Sequence, residues 1–270
     1  MNATLKITVL GCGASPGVPR IGNDWGACDP NEPKNRRTRC SILLERNLNR
    51  GTTRVLVDTG PDMRAQLLAA RVNSIDGVVY THSHADHLHG IDDLRAFAQN
   101  TGRLVDVYAD DATYERMLDG FRYCFFTPPE SIYRPILQRH DMAAGVPLSI
   151  NGDGGPLTIT PFRQVHGTIH SLGLRIGGFA YSCDVSDIAD ATVPVLDGLD
   201  VWMVDALRYS THPSHFNVVQ TLAWIERIKP QRAVLTHMHG DLDYATLKRE
   251  LPGHIEPAYD GMTIELPLAP

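Results

Sequence analysis

Four side chains that can bind metal ions or move protons lie within six positions of the sequence: His82, His84, Asp86 and His87. They follow an apolar run, Gly77–Tyr80, which predicts a short buried strand that ends in a polar loop. Residues two apart in an extended chain project to one side, so His82 and His84 can point together. A helical pattern from Asp86 to about Gln99 would aim the second pair beside them. Imidazole and carboxylate suit zinc, iron and manganese, so this stretch predicts a site for adjacent divalent ions.

Further candidate ligands come directly after other strand-like runs. His166 follows F-R-Q-V, Asp184 follows A-Y-S-C, and His237 follows A-V-L-T. Loops at one edge of a rigid sheet hold ligands with little positional freedom. The candidates divide into two groups of three with one shared member: His82, His84 and His166; Asp86, His87 and His237; and, bridging them, Asp184. Each ion would keep an open position for a shared water, which distinguishes catalytic sites from structural ones.

Composition bounds the remaining possibilities. The chain has 270 residues, 43% of them hydrophobic, a formal net charge of −6 and five cysteines at scattered spacings. An odd cysteine count argues against a disulfide framework, and the first residues lack the pattern of a secretory signal. We therefore expect a cytoplasmic protein with no membrane contact. With no linker or repeat in view, we expect one domain over residues 1–270.

The spacing H-S-H-A-D-H at residues 82–87 is similar to the H-x-H-x-D-H signature of the metallo-β-lactamase fold. The order of the later ligands, each after a strand, resembles the same superfamily. The resemblance covers nearly the whole chain and implies an α/β fold, the αββα sandwich, with a dinuclear metal site at one edge. It also implies that Asp58, in V-D-T-G, orients a ligand histidine through its far ring nitrogen.

Five further segments resemble one branch of the superfamily: L-G-C-G-A-S-P-G-V-P-R, R-C-S-I-L-L-E, Y-S-C-D, P-S-H-F-N and L-T-H. This branch contains the cyclic phosphodiesterase of the bacterial carbon–phosphorus lyase pathway, and its relatives include tRNA 3′-processing endonucleases. The resemblance implies that His215 stabilises or protonates the leaving group, and we place it with Asp86 as the catalytic residues. An exposed helix-cap role for His215, near the start of a helix from Ser214 to about Ile228, is the alternative, and His212 is its competitor.

The chain departs from the branch in its first loop. Members often bind a structural zinc there through C-x-C-x-x-C and a histidine three residues after the last ligand. Here Asn23 and Trp25 occupy the first two cysteine positions, only Cys28 remains, and Gly240 replaces the histidine. We therefore expect two divalent ions, zinc or manganese, and no structural zinc.

These features predict a phosphodiesterase that acts on small phosphodiesters or on cyclic nucleotide or phosphoribosyl phosphates. Two divalent ions would lower the pKa of a shared water, and a local positive charge would draw a phosphate to an acidic protein. A thioester hydrolase of the glyoxalase II type uses the same ligands but usually adds a helical region, whereas 33 residues follow His237. A tRNA 3′-processing-like endonuclease is the other alternative.

The partner we expect is therefore a small phosphate ester or nucleotide-like molecule. The basic run Lys34–Arg39 is compatible with nucleic acid, although the net charge and the lack of a long arm do not favour it. The run predicts a solvated loop or a contact to substrate phosphate. The resemblance allows a homodimer. The aromatic segment Phe121–His140 predicts either a cap over the site or an oligomer contact.

Overall fold

The computed structural model describes residues 3–49 and 51–268 and consists of two β-sheets with helices on their outer faces. The strands are β1 (Ala3–Gly11), β2 (Ser41–Leu48), β3 (Gly51–Val57), β4 (Gly77–Val79), β5 (Val105–Ala109), β6 (Leu137–Asp141), β7 (Leu148–Ile150), β8 (Leu157–His166), β9 (Ile169–Ile176), β10 (Phe179–Ser182), β11 (Val201–Asp205), β12 (Arg232–Thr236), β13 (Ile255–Pro257) and β14 (Thr263–Leu268). The α-helices are α1 (Met63–Ala69), α2 (Ala85–Leu88), α3 (Arg95–Thr101), α4 (Asp111–Phe125), α5 (Val218–Ile228) and α6 (Tyr244–Glu250). Three short 3₁₀ helices cover Pro33–Asn35, Ile91–Leu94 and Asp190–Leu196.

The two sheets are built on the same plan. One has the strand order β14-β1-β2-β3-β4-β5-β6 and the other β7-β8-β9-β10-β11-β12-β13. In each order, three antiparallel pairings are followed by three parallel ones. Parallel neighbours end at the same edge of a sheet, so the loops after β3 and β4 lie together, as do those after β10, β11 and β12.

The alternation of side chains along the strands explains why the sheets are covered on both faces. In β2 and β3, Ile42, Leu44 and Val55 pack in the cluster that contains residues of both sheets. Leu43 and Leu56 point to the other face, where they join residues of α1 and α4. Successive residues of a strand face opposite sides, so an unbroken apolar run fits a strand buried on both faces. The predicted αββα sandwich of the metallo-β-lactamase type is confirmed.

Two predicted helices differ from the structure. The helix expected from Asp86 to about Gln99 is wrong, because the chain turns at Gly90 and continues as separate short helices. A side chain at Gly90 would meet the carbonyl oxygen of Gly60 at 2.3 Å, so only glycine permits the two loops to approach. The helix expected from Ser214 begins at Val218, because Asn217 forms a capping box that ends the preceding loop.

The basic run Lys34–Arg39 is only partly exposed, because Arg37 is buried while Arg36 faces solvent. The side chain of Arg37 is 1% exposed and donates to the carbonyl of Leu242 at 2.7 Å. The ammonium of Lys34 donates to the hydroxyl of Tyr244 at 3.1 Å and lies over its ring. For Arg37 the prediction of a solvated position is therefore wrong, because its guanidinium pins the first loop to the segment after β12.

The aromatic segment 121–140 contains the end of α4, a loop and β6. Phe125 is buried against the helix-covered face of the first sheet, whereas Phe126, Ile132 and Tyr133 are exposed. Its role as a cap or contact stays a prediction, as do the homodimer and the single domain. Among the described residues 3–49 and 51–268, no helix is long and apolar enough to cross a membrane.

Candidate metal centre

The structure brings all seven candidate ligands to one edge of the sandwich. Their donor atoms form two groups, each with all atoms within 4.8 Å of one another, and Asp184 belongs to both: His82, His84, His166 and Asp184; Asp86, His87, Asp184 and His237. These are the two groups that the sequence predicted. His84 is exposed while the other members are buried, so the cluster opens to solvent on the His84 side.

The carboxylate of Asp184 lies between the two groups, with one oxygen toward each. Its Oδ2 is 3.6 Å from Nε2 of His82 and 3.5 Å from Nε2 of His166. Its Oδ1 is 3.1 Å from Nε2 of His87 and 3.2 Å from Nε2 of His237. One carboxylate can therefore contact ions in both groups.

The donor atoms are spaced as metal ligands are. Tetrahedral coordination with Zn–N bonds near 2.1 Å separates neighbouring donors by about 3.4 Å. The Nδ1 atom of His84 is 3.1 Å from Nε2 of His166, so His84 turns a different ring nitrogen inward. The Nε2 atoms of His82, His87 and His237 and Oδ1 of Asp184 are buried with no hydrogen-bond partner in the described residues. Orphaned buried polar atoms are costly, and divalent cations at these positions would satisfy them.

The Nδ1 atoms of three ligand histidines, on the side of each ring away from the cluster, are fixed by hydrogen bonds. Asp58 accepts from Nδ1 of His87 at 2.8 Å and from the hydroxyl of Thr81 at 2.7 Å. The Thr81 hydroxyl is in turn 3.0 Å from Nδ1 of His82. Asp58, which is fully buried, thus orients one histidine of each group, directly for His87 and through Thr81 for His82. Nδ1 of His166 donates to the carbonyl of Ser214 at 2.6 Å.

Charge balance within the cluster favours ionised carboxylates. Burial alone would raise the pKa of Asp184, but the imidazoles of His237, His87 and His82 outweigh burial and hold it well below its usual range. Burial lowers the pKa of His82, which favours the neutral imidazole that can bind a metal. Burial would also lower the pKa values of His87 and His237, but the carboxylate of Asp184 outweighs it, raising the pKa of His87 and bringing that of His237 to about 9. These imidazoles hold protons in the absence of ions, and a bound cation would displace those protons.

Three residues of the centre have left-handed backbone conformations. The φ angles are +63° at Asp58, +42° at Asp184 and +56° at His237. Such conformations in non-glycine residues cost on the order of 1–3 kcal/mol each and concentrate at functional sites. Each follows a buried strand directly or within two residues, so the chain turns sharply there to aim the side chain at the cluster.

The structure places His215 beside the cluster rather than at an exposed helix end. It is 8% exposed, and its Nε2 lies 3.9 Å from Oδ2 of Asp184. Its Nδ1 donates to Oδ2 of Asp205 at 2.7 Å. The alternative of an exposed cap residue is therefore wrong. The ring of His215 is 4.7 Å from those of the ligands His166 and His237, whereas His212 is half-exposed and lies beside His215 with ring centres 5.1 Å apart.

Sequence reasoning missed two residues of the site. Asp205 ends β11 (V-W-M-V-D) and is fully buried between His215 and His237. A carboxylate after a buried strand is the same signal that identified Asp184, so Asp205 could have been found. Ser15 donates to Oδ2 of Asp86 at 2.6 Å. No local pattern predicts that contact, because the two residues are 71 positions apart.

A cleft of about 1240 Å³ begins at His82 and His84. The first turns of α4 form one wall, and the β8–β9 hairpin, with Arg163 and His170, lines the other. Its volume exceeds what one phosphate group requires and accommodates a larger organic molecule.

The fold and the ligand cluster are those of a metal-dependent hydrolase of the metallo-β-lactamase type. A model of the beta-lactamase superfamily domain matches residues 53–238, and the chain belongs to this superfamily. The octanoyltransferase of Porphyromonas gingivalis (strain ATCC BAA-308 / W83) is 33% identical over 261 residues, which cover 96% of this chain and 51% of that protein. The chain thus spans about half the length of this curated relative.

Similar solved structures agree with this family. A diphosphatase from the PhnP family is 34% identical, with a TM-score of 0.88 and 99% of both chains covered. This likeness confirms the resemblance to the cyclic phosphodiesterase branch. Zinc-bound PqqB from Methylobacterium extorquens is 18% identical (TM-score 0.75, covering 97% of this chain and 100% of that one), and the short form of human tRNase Z is 17% identical (TM-score 0.64, covering 96% and 98%). At these identities the last two show the shared fold alone.

Asp58 orients His87 directly and His82 through Thr81, so we expect Asp58→Asn to weaken metal binding by both ligand groups. Residues that orient metal ligands from behind typically contribute 10–100-fold, so we expect a loss of about that size in zinc affinity. Competition with a chromophoric chelator measures it. Asp106→Asn is the matched control, because Asp106 also pairs with a histidine, His140, at 2.8 Å but on a half-exposed surface. Equal affinities for the two variants would contradict this role of Asp58.

Proposed function

We propose that the protein is a dinuclear-metal-dependent phosphodiesterase that hydrolyses small phosphodiesters or cyclic nucleotide or phosphoribosyl phosphates. The observation that carries this proposal is the position of Asp184, with each oxygen 3.1–3.6 Å from two histidine nitrogens of a different group. A single ion would not use both oxygens in this way. The 34% identity to a PhnP-family diphosphatase across 99% of the chain supports chemistry at phosphorus.

The proposed ligands of one ion are His82, His84 and His166 with Asp184, and those of the other are Asp86, His87 and His237 with Asp184. Bound there, divalent ions would supply Lewis acidity toward phosphoryl oxygens and a water ionised at neutral pH. We propose zinc or manganese, since imidazole and carboxylate donors serve both. The predominance of histidine favours zinc under the Irving–Williams order.

His215 is proposed to donate a proton to the leaving oxygen. Its Nε2 is on the side of the ring nearer the cluster, while Nδ1 donates to Asp205 and is thereby fixed. Asp205 is itself held by the backbone N–H of Val185 at 3.0 Å. A buried carboxylate behind an imidazole fixes the tautomer and the orientation of its ring. Asp205 would thus act as a positioning residue for His215.

We propose no structural zinc at Cys28. Its Sγ lies 3.4 Å from the carbonyl oxygen of Gly240 and 3.9 Å from a guanidinium nitrogen of Arg37. The guanidinium already supplies a positive charge that ties this loop to the segment after β12, and a second cation would repel it. Burial also raises the pKa of the Cys28 thiol, whereas metals bind the thiolate.

The number of bound ions tests these two proposals together. We expect two divalent ions per chain in protein saturated with zinc or manganese and then desalted, measured by plasma mass spectrometry. Cys28→Ser is expected to leave the count at two. A third ion that is lost in Cys28→Ser would contradict the absence of a structural zinc, and a single ion would contradict the dinuclear site.

The observation that favours a small substrate over RNA concerns the basic run. Arg37 is buried and Arg39 pairs with Asp62 at 3.1 Å, so of the four basic residues of the run only Arg36 is exposed, and Lys34 is half-buried. Binding of nucleic acid depends on exposed basic charges. A thioester substrate of the glyoxalase II type remains the second candidate, since it would use the same ligands.

A substrate panel tests the proposed activity directly. We expect metal-loaded protein to hydrolyse bis-p-nitrophenyl phosphate and at least one cyclic phosphate, and to lose this activity when a chelator removes the metal. Asp184→Ala is expected to abolish it, because the variant lacks the shared ligand. Turnover of S-lactoylglutathione or of precursor tRNA, without turnover of small phosphodiesters, would overturn the proposal.

The role of His215 predicts a dependence on the leaving group. We expect His215→Ala to slow hydrolysis of an alkyl phosphodiester by about 10²–10⁴-fold, because the alkoxide needs a proton as it departs. Hydrolysis of a p-nitrophenyl ester should fall far less, because p-nitrophenolate leaves without help. His254→Ala, at an exposed histidine, is the control. Equal losses with both esters would rule out proton donation by His215.

A further inference from the structure

The glycine-rich loop after β1 reaches the metal centre through one side chain, that of Ser15. Its hydroxyl donates to Oδ2 of Asp86 at 2.6 Å. The same Oδ2 lies 3.4 Å from Nε2 of His87 and 3.6 Å from Nε2 of His237, so it is the oxygen that faces the other donors of its group. A carboxylate oxygen has two lone pairs and can accept a hydrogen bond while it binds a cation.

The backbone around Ser15 is fixed on both sides. The N–H of Gly13 donates to the carbonyl of Thr38 at 2.8 Å, and the N–H of Ala14 donates to the carbonyl of Met238 at 3.2 Å. A turn closed by Gly17 N–H to Ala14 carbonyl, at 2.8 Å, follows directly. The Ser15 hydroxyl therefore approaches Asp86 from a held position rather than from a free loop, and the same loop is bonded to the residue after His237.

The support given by Ser15 is one-sided. Asp86 belongs to only one of the two groups, with His87, His237 and the shared Asp184. By contrast, Asp58 supports a histidine of each group. Ser15 is exposed, so its hydroxyl can be removed without opening a cavity in the core.

We infer that Ser15 is a positioning residue for Asp86 that strengthens metal binding at the Asp86–His87–His237 group and not at the His82–His84–His166 group. This inference rests on the proposed dinuclear site and gives the glycine-rich loop a role in it. The hydrogen bond restricts the rotation of the Asp86 carboxylate, so less freedom is lost when the ion binds. The affinity for one ion of the centre would then depend on the Ser15 hydroxyl, and the affinity for the other ion would not.

The test is a chelator competition with Zn²⁺ that resolves the two binding steps. We expect Ser15→Ala to weaken one step by about 10–100-fold and to leave the other unchanged. Ser15→Thr keeps the hydroxyl and should bind like the unaltered protein. Ser83→Ala is the matched control, because Ser83 lies beside the ligands His82 and His84 and makes no side-chain hydrogen bond among the described residues.

A double-mutant cycle assigns the affected step. His237→Ala removes a ligand of the Asp86–His87–His237 group, so adding Ser15→Ala should not change zinc affinity at the His82–His84–His166 group. His84→Ala removes a ligand of the other group, so adding Ser15→Ala should still weaken zinc binding at the Asp86–His87–His237 group by about 10–100-fold. Equal weakening of both steps, no weakening, or a loss in Ser15→Thr as large as in Ser15→Ala would overturn the inference. Because binding is measured rather than turnover, a failed phosphodiesterase assay and a failed role of Ser15 give different results.

Discussion

The rest of the centre depends on the buried carboxylate of Asp184. An isolated charge in this position would be strongly unfavourable, and four histidine nitrogens at 3.1–3.6 Å from its two oxygens offset that cost. Among the described residues, several buried donors and acceptors of the centre have no hydrogen-bond partner, and bound cations would satisfy them. The same carboxylate joins the two groups, so any shift of the turn after β10 would disturb both. The left-handed backbone at Asp184 is the local strain that this geometry requires.

The residues that hydrogen-bond to the candidate ligands differ in how many ligands each of them orients. Asp58 reaches a histidine of each group, Ser15 reaches one carboxylate of one group, and Asp205 lies between a ligand, His237, and the proposed acid, His215. Asp205 is the last residue of a strand, and Asp58 and Ser15 lie in loops that follow the carboxyl ends of strands. The sheets hold these loops with hydrogen bonds to neighbouring strands, so small side-chain groups can be positioned without large rearrangements. The repeated plan of the two sheets supplies such an edge twice.

In the loop between β1 and β2, the guanidinium of Arg37 holds the chain together where related proteins often bind a structural zinc. Arg37 is buried and donates to backbone carbonyls of the segment after β12, close to Cys28. A guanidinium has five donors in a rigid plane and stays charged, so it can fix several acceptors at once. The loop that carries Ser15 is bonded to the same region through Met238. The position of the last ligand loop is thus coupled to the loop that supports Asp86.

The resemblance of the ligand spacing to the metallo-β-lactamase superfamily implied the αββα sandwich, and the amino-acid sequence by itself determined the seven candidate ligands and their division into two groups. It could do so because each candidate follows a buried apolar run, and a strand end is visible in local alternation and turn residues. Tertiary structure alone decided that Ser15 meets Asp86, that His84 turns Nδ1 inward, and that Asp205 holds His215. It also interrupted the helix expected after Asp86, because the chain turns at Gly90, where it passes too close to Gly60 for any residue but glycine. The first two contacts join residues 71 and 82 positions apart, and even the third spans an irregular loop. Loop paths across the edge of two sheets leave no periodic trace in the sequence.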